Sequence, residues 1–221
     1  MSEPRVSPGP GAPNGWDNGR VTNKRGRGLR ITGNILLTAG FVIAAYVAWL
    51  LWGTGLYTAR VQEGLRQDVG TRIDAPRPVP PEGQVAVPGA GIAILRIPAI
   101  DLDTIVIEGT AVTDLKKGPG HYADTSYPWE NTGRVGIAGH RTTYGAPFWS
   151  LNEVRVGDLT ILETEFGTFT YRVTETREVL PTQVGVLKQT EKPTLVLTTC
   201  SPRFSAARRL IVFAERVSSR T

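Results

Sequence analysis

The chain has 221 residues, of which 40% are hydrophobic, so it can form one domain of ordinary size with a real core and some appended segments. Its single cysteine excludes an internal disulfide. One cysteine and two histidines cannot supply four zinc ligands without carboxylates, so we predict no metal site and no cofactor. Much of the net charge of +5 lies in the first thirty residues. The positive charge is therefore concentrated in an N-terminal tail, and we predict no nucleic-acid partner.

The N-terminal part divides by composition. Residues 1–30 are rich in Gly, Pro, Asn and Arg, and we predict a disordered basic tail. Residues 31–59 carry no charge, and the segment 35–57 would span roughly 34 Å as a helix, enough for a hydrocarbon core of about 30 Å. Trp49, Trp52 and Tyr57 fit an interfacial belt. We predict an uncleaved membrane anchor over 31–59, with a buried core helix or a signal peptide as the alternatives.

The basic residues before the anchor indicate its orientation. By the positive-inside rule, the chain is a single-pass protein of the cell membrane, with its N-terminus in the cytoplasm and the remainder outside. Residues 60–90 follow as an extracellular stalk and linker. The stalk carries Val61, Leu65 and Val69 at helical spacing, and the linker is rich in Pro and Gly from residue 76 onwards.

From residue 91 onwards the sequence changes to short apolar or alternating segments separated by turn residues. These segments cover 92–97, 102–107, 134–138, 159–163, 168–176, 193–200 and 210–217. One helical turn or two is expected over 110–117 and a short helix over 147–154, while 179–187 is ambiguous. Many short strands with few helices predict an all-β domain over 91–221, either a closed barrel or a sandwich.

Three reactive side chains stand at the ends of predicted strands. Cys200 ends one apolar run, His140 ends another, and Arg209 opens a third. A lone cysteine with a histidine elsewhere is the pattern of a thiol nucleophile, although a single cysteine by itself is more often a buried structural thiol. His121 lies between turn residues and is the weaker histidine candidate. Arg208 competes with Arg209, and their positions in the sequence leave that choice open.

These residue types suit acyl transfer. A free thiol has a pKa of about 8.5 and needs a base or a positive field to become a thiolate. His140 can act as that base and then as an acid towards a leaving amine. An arginine can hold the substrate and stabilise an oxyanion. The reaction predicted is acyl transfer through a thioester, resolved by either water or an amine.

Two segments resemble the sortase family. The run 195–200, Leu-Val-Leu-Thr-Thr-Cys, is similar to the family's Thr-Leu-x-Thr-Cys signature, and Arg209 resembles the arginine that precedes the last strand. The segment 139–148, Gly-His-Arg-Thr-Thr-Tyr-Gly-Ala-Pro-Phe, resembles the histidine segment of class E sortases. Residues 118–122, Gly-Pro-Gly-His-Tyr, match a further family motif whose histidine is not catalytic.

The resemblance implies an eight-stranded sortase β-barrel preceded by one transmembrane helix. Cys200 would be the nucleophile, His140 the acid/base, and Arg209 the oxyanion and substrate clamp. Thr199, Tyr122 and Tyr144 would assist substrate binding.

The resemblance also implies the partners. They are secreted proteins with a C-terminal sorting signal of the type Leu-Ala-x-Thr-Gly or Leu-Pro-x-Thr-Gly, cleaved between Thr and Gly, and a peptidoglycan precursor amine. The loop 128–134 departs from the family pattern, so substrate preference stays open. A thiol peptidase that hydrolyses the same bond and a non-catalytic binding module are the alternatives.

Overall fold

The computed structural model describes residues 24–80 and 86–221. Helix α1 spans Lys24–Ala48, a π-helical segment follows at Trp49–Gly53, and helix α2 spans Thr54–Asp74. The stretch Arg27–Ala48 is long and apolar enough to cross a membrane, as judged by length and composition, a property that signal sequences share. The side chain of Trp52 lies outside the described part of the chain, whereas Trp49 and Tyr57 are exposed.

The predicted disordered tail extends too far towards the C-terminus. Residues 1–23 lie outside the described part, but residues 24–30 belong to α1. Lysine and arginine are good helix formers, so they extend the helix started by the apolar residues that follow them. Of the predicted linker, residues 81–85 also lie outside the described part.

Eight strands form a closed barrel in the order β1-β2-β3-β4-β7-β8-β6-β5. The strands are β1 Gly91–Ile97, β2 Leu102–Glu108, β3 Gly120–His121, β4 Arg134–Ala138, β5 Leu159–Thr164, β6 Gly167–Val179, β7 Thr194–Ser201 and β8 Arg208–Arg220. Most neighbours are antiparallel, but β2 with β3 and β4 with β7 are parallel. The prediction of an all-β closed barrel with few helices is confirmed.

Strand alternation decides which side chains fill the barrel. In β7, Leu195 and Leu197 join the interior cluster, while Val196 belongs to a separate cluster outside it. Period-2 alternation explains this division, because successive side chains of a strand point to opposite faces of the sheet. The largest fully buried side chains of the interior include Phe148, Phe169 and Tyr171, together with Leu95, Ile97 and Leu162.

Helix α2 packs against the outer face of the barrel. Its Val69 is 2% exposed and forms a cluster with Ile94 of β1 and Ile105 of β2. The Gln62 side chain bonds the backbone of Ile105 through both its oxygen and its nitrogen. Residues 60–74, which the sequence assigns to the stalk, are therefore held against the barrel in the same compact unit, residues 45–221.

The shortest elements are single turns. Residues 110–117 contain one helical turn, α3 at Val112–Leu115, within the one or two turns expected, whereas the short helix expected over 147–154 is only a 3-10 turn at Leu151–Glu153. The ambiguous region is a loop with a 3-10 turn at Val184–Leu187, which packs on Val196 and Ile211 of the barrel's outer face. These segments are too short for periodicity to be read reliably.

Candidate active site

Cys200 lies near the end of β7 with its thiol partly exposed. Its side chain points to the opposite face from those of Leu197 and Thr199, because successive side chains of a strand alternate. It therefore shares the outer face with Val196 and Thr198. This face is the one that the loop between β6 and β7 covers. A nucleophile at this position is mounted on a rigid strand beside a covered surface.

Arg209 stands opposite Cys200 across the antiparallel pair of β7 and β8, whereas Arg208 stands opposite Ser201. Directly opposed residues of such a pair project to the same face, so Arg209 accompanies the thiol. Arg209 is partly exposed, and its guanidinium donates to the carbonyl oxygens of Ala206 and Arg208 at 3.0 and 3.1 Å. The register therefore distinguishes Arg209 from Arg208, a choice that the sequence left open.

His140 follows β4, the parallel neighbour of β7. The last paired residues are Ala138 and Thr198, and beyond them the Gly139 N–H donates to the Thr198 carbonyl oxygen at 3.1 Å. The Thr199 hydroxyl donates to the Gly139 carbonyl oxygen at 2.7 Å. Extending this register sets His140 beside Cys200, two residues past the last pair on each strand. Burial lowers the pKa of the His140 imidazole below its usual 6.5, which favours the neutral, proton-accepting form at neutral pH.

The segment after His140 is held against the barrel. The Phe148 N–H donates to the His140 carbonyl oxygen at 3.1 Å, and the Phe148 ring is fully buried. A Cβ atom at position 139 would lie 2.6 Å from that ring, so only glycine permits this close approach. The ring of Tyr144 lies 5.1 Å from the His140 ring, measured between centroids.

A groove runs along the outer face from Arg209. Tyr122, Thr198 and Ile211 line it together with residues of the 180–187 segment between β6 and β7, around a cavity of about 80 Å³. The Tyr122 hydroxyl lies 3.0 Å from the Thr198 hydroxyl. Because Thr198 and Cys200 share a strand face, the groove leads towards the thiol.

The structure pairs Cys200 with Arg209, the continued register of β4 sets His140 beside Cys200, and Tyr122 lines the adjoining groove. Tyr144 instead contacts the His140 ring. Thr199 is 3% exposed and points into the barrel, so its hydroxyl ties β7 to the histidine segment. This placement gives Thr199 a supporting position rather than a place in the groove.

The other histidine, His121, is fully buried in β3. Its Nδ1 lies 2.9 Å from Glu108 Oε2, and its Nε2 lies 3.1 Å from the Ser126 carbonyl oxygen. An imidazole that is engaged at both nitrogens and fully enclosed cannot reach a substrate. Its contacts join β2, β3 and the loop that follows.

Sequence reasoning missed Arg141, the residue after His140. Its side chain belongs to a residue only 6% exposed and donates to the Cys200 carbonyl oxygen at 3.2 Å. Ser201, which accepts from the same guanidinium, was also missed. The only signal was adjacency to the two candidate residues, since nothing in the sequence pattern marks an arginine as buried.

This arrangement suits acyl transfer to a thiol. A partly exposed thiol, a neutral imidazole on the adjoining strand and a permanent cation opposite the thiol provide a nucleophile, a base and an anion-stabilising group. Fold and site together define a cysteine acyltransferase built on a closed barrel.

Comparison with known proteins agrees with this class. The sortase domain model matches residues 95–217. Sortase D of Bacillus subtilis is 33% identical over 195 residues, covering 83% of this chain and 96% of that protein. Sortase SrtE1 of Streptomyces coelicolor is 30% identical over 210 residues, covering 86% of this chain. The chain spans 58% of the length of that Streptomyces relative.

A solved structure shows the same architecture. It is a sortase D5 transpeptidase of Clostridium perfringens, with a TM-score of 0.64 and 26% identity, and the match covers 72% of this chain and 99% of that one. The chain belongs to the sortase family, as a class E-like, sortase-type cysteine transpeptidase.

Proposed function

We propose that this transpeptidase cleaves a C-terminal sorting signal of the type Leu-Ala-x-Thr-Gly or Leu-Pro-x-Thr-Gly between Thr and Gly. The shortened protein is then transferred to the amine of a peptidoglycan precursor. The observation that carries the proposal is the juxtaposition of Cys200 and Arg209 in register, with His140 just after the adjoining strand, at the end of the groove.

In the first step the Cys200 sulfur attacks the carbonyl carbon of the signal's threonine. His140 takes the thiol proton, and the Arg209 guanidinium stabilises the oxyanion of the tetrahedral intermediate. The C–N bond to glycine breaks as His140 gives the proton to the leaving amine. The products of this step are a thioester on Cys200 and a released peptide with a free N-terminus.

In the second step the acceptor amine attacks the thioester carbonyl. Neutral His140 removes a proton from the attacking nitrogen and returns it to the departing Cys200 sulfur. A new amide joins the protein to the acceptor, and the thiol is restored. Water in place of the amine would give hydrolysis, which is the reaction of the peptidase alternative.

Tyr122 and Tyr144 take different parts in this proposal. Tyr122 shapes the groove that receives the sorting signal, because it lines the groove and its hydroxyl faces Thr198. Tyr144 acts on the orientation of His140 through the contact between their rings. Thr199 supports both reacting residues by tying Gly139 to β7.

We also propose that the apolar part of the predicted anchor 31–59, up to Ala48, holds the chain in the cell membrane as a single span. The last residues of the predicted anchor are excluded from that span, because Thr54 and Thr58 bond residues of the folded unit. The N-terminus then lies in the cytoplasm, and the domain 91–221 lies outside, where secreted substrates and cell-wall precursors meet. Support comes from the apolar stretch Arg27–Ala48 and from the basic residues that precede it in the sequence.

The test uses the full chain in detergent micelles with peptides that contain Leu-Ala-x-Thr-Gly or Leu-Pro-x-Thr-Gly. Intact mass spectrometry should show an acyl adduct, cut after Thr, on the parent chain and none on Cys200→Ala. Added triglycine should appear in the product as a new amide. An adduct that only water resolves would contradict the transfer step. A folded chain that acquires no adduct from either peptide would contradict the proposed signal.

A further inference from the structure

Arg141 connects the histidine segment to the strand that carries the cysteine. One of its guanidinium nitrogens, Nη1, donates to the Cys200 carbonyl oxygen at 3.2 Å and to the Ser201 hydroxyl at 3.3 Å. The other, Nη2, donates to Asn152 Oδ1 at 2.8 Å. A single side chain thus holds the backbone of Cys200, the residue after it and the 3-10 turn.

The contact continues beyond Arg141. The Ser201 hydroxyl, which accepts from Arg141, donates to the Glu178 carboxylate of β6. Ser201 is 2% exposed, so this chain of hydrogen bonds runs beneath the surface before it reaches the exposed Glu178. Because β6, β7 and the histidine segment meet here, a shift of any one of them would be transmitted to Cys200.

Burial of a cation costs free energy unless hydrogen-bond acceptors or negative charges surround it. The acceptors of Arg141 are groups of the site itself. Burial, followed by the positive charge of Arg203, lowers the pKa of the Arg141 guanidinium, while Glu178 and Cys200 act in the opposite direction. Within the described residues its Nε has no hydrogen-bond partner. Leaving a buried donor unpaired costs about 1–3 kcal/mol. The burial of Arg141 beside the nucleophile, despite this cost, indicates a specific role in the site.

Resting on the proposed function, we propose that Arg141 is a positioning residue for thioester formation. Its guanidinium holds the Cys200 carbonyl and the Ser201 hydroxyl, fixing the end of β7 so that the thiol stands beside His140. It acts through Cys200 and contacts no reacting atom of the substrate.

The geometry predicts how this role differs from a contribution to folding alone. The groove lies on the outer face along Tyr122, Thr198 and Ile211, and Arg141 is not among its lining residues. Loss of Arg141 should therefore leave peptide binding intact and slow the chemical step. A contribution to stability alone would lower the melting temperature and leave the turnover of the folded chain unchanged.

The experiment compares Arg141→Met and Arg141→Lys with the matched control Arg203→Met in the full chain. Arg203 also donates to Asn152 Oδ1, at 3.3 Å, but its guanidinium lies over the Trp149 ring on the exposed side. Two rates are measured below the melting transition. One is turnover of the sorting peptide, and the other is alkylation by iodoacetamide, which reports on Cys200 alone because the chain has one cysteine.

We expect Arg141→Met to lower kcat roughly 10- to 100-fold with little change in KM, the range that a misplacement of about 1 Å produces. Alkylation should slow as well. Arg141→Lys should recover part of both rates, because it keeps the charge and loses the planar fork. Arg203→Met should match the parent. If Arg141→Met is folded and matches Arg203→Met in both rates, the inference is overturned.

The experiment has a definite reading even if a variant does not fold or the parent does not react. If Arg141→Met does not fold, Arg141→Lys and Ser201→Ala decide: lowered kcat at unchanged KM supports the inference, and parental kcat in both overturns it. If the parent acquires no adduct from either peptide, the proposed function fails by itself. The alkylation rates of the variants then still test whether Arg141 governs the reactivity of Cys200.

Discussion

Each candidate catalytic side chain depends on strand parity and register. Cys200 and Arg209 face the same side because they are paired across β7 and β8, and a slip of one residue would bring Arg208 there instead. β4 runs parallel to β7 and ends at Ala138 opposite Thr198, and His140 follows two residues beyond that end, as Cys200 does on β7. The chemistry at this end of the barrel therefore rests on three adjacent strands.

The register predicts unequal effects for two neighbouring arginines. Arg209→Ala should lower kcat/KM about 100- to 1,000-fold, the cost of removing one oxyanion donor. Arg208→Ala should change it little, because Arg208 is exposed and stands opposite Ser201. Steady-state kinetics with the sorting peptide measures both variants. Equal losses would contradict the assignment of the oxyanion role to Arg209.

Burial of His140 predicts the acid side of the pH profile. Desolvation disfavours the imidazolium, so protonation of His140 shifts to a pH below its usual 6.5. In the proposed mechanism the reactive form of the enzyme carries a single proton on the pair Cys200 and His140. The rate should therefore fall on the acid side as His140 gains its proton, and on the alkaline side as the shared proton is lost. We expect a bell-shaped kcat/KM profile whose acid midpoint lies below pH 6.5.

The control for this profile is His140→Gln, which should be slow and should lack the acid limb. His121 is not expected to contribute, because it is fully buried against Glu108. A flat profile in the parent, or an acid midpoint above pH 6.5, would contradict a catalytic role for His140 in its buried, neutral form.

At the scale of elements, helix α2 completes the barrel rather than standing apart from it. The Gln62 amide takes the place of a strand partner for Ile105: its nitrogen donates to the Ile105 carbonyl oxygen at 3.1 Å, and its oxygen accepts the Ile105 N–H at 2.7 Å. On β2, the short strand β3 covers just Ile107 and Glu108, which lie beyond Ile105. Without the helix, this part of β2 would be an open sheet edge.

Replacement of Gln62 should therefore destabilise the folded chain. Gln62→Ala leaves the buried backbone groups of Ile105 unpaired and should reduce the free energy of unfolding by about 1–3 kcal/mol. Gln67→Ala is the matched control, because Gln67 is exposed and bonds only Glu63 within its own helix. Urea unfolding of both variants in detergent micelles, followed by circular dichroism, measures the difference. Equal stabilities would show that α2 contributes little to the barrel.

Helix α2 also contacts the segment that follows His140. The Tyr144 N–H donates to the Thr54 hydroxyl at 3.1 Å, and the Tyr144 ring lies beside His140. Tyr144, Gly145 and Ala146 all have positive φ angles, of 52°, 74° and 45°. Two non-glycine residues in that conformation are strained, so a contact that holds them is needed. Helix α2 provides it, although it lies far upstream in the chain.

At the scale of the whole molecule, the chain combines an apolar helix with a compact unit that carries the candidate active site. The stretch Arg27–Ala48 is long enough to cross a membrane, and residues 45–221 form one unit. The proposed transfer of secreted proteins to cell-wall precursors requires a site on the outer side of the membrane. The proposed orientation meets that requirement.

The single cysteine makes this orientation testable. A membrane-impermeant maleimide should label Cys200 in intact cells, because the thiol is partly exposed in a domain that we place outside. The matched control carries Cys200→Ser and Ser2→Cys, and it should be labelled only after the membrane is permeabilised. The reverse pattern, with Cys200 protected and position 2 labelled in intact cells, would contradict the orientation.

Some properties were determined by the sequence itself, since they depend on local pattern and composition. Alternation over 168–176 predicted β6, the apolar run before Cys200 predicted β7, and the absence of charge over 31–59 predicted a helix able to span a membrane. Conversely, two residues of β3 and single-turn helices carry too little periodicity to be recognised. The candidate cysteine, histidine and arginine were found because each ends or opens a long apolar run.

Only the tertiary structure decided the relations between segments. The choice of Arg209 over Arg208 depends on the pairing of β7 with β8, and the burial of Arg141 depends on where β6, β7 and the histidine segment meet. The packing of α2 on β1 and β2 likewise joins residues far apart in the chain. Such contacts form between segments that fold back on one another, and no local pattern in a single sequence records which segments will meet.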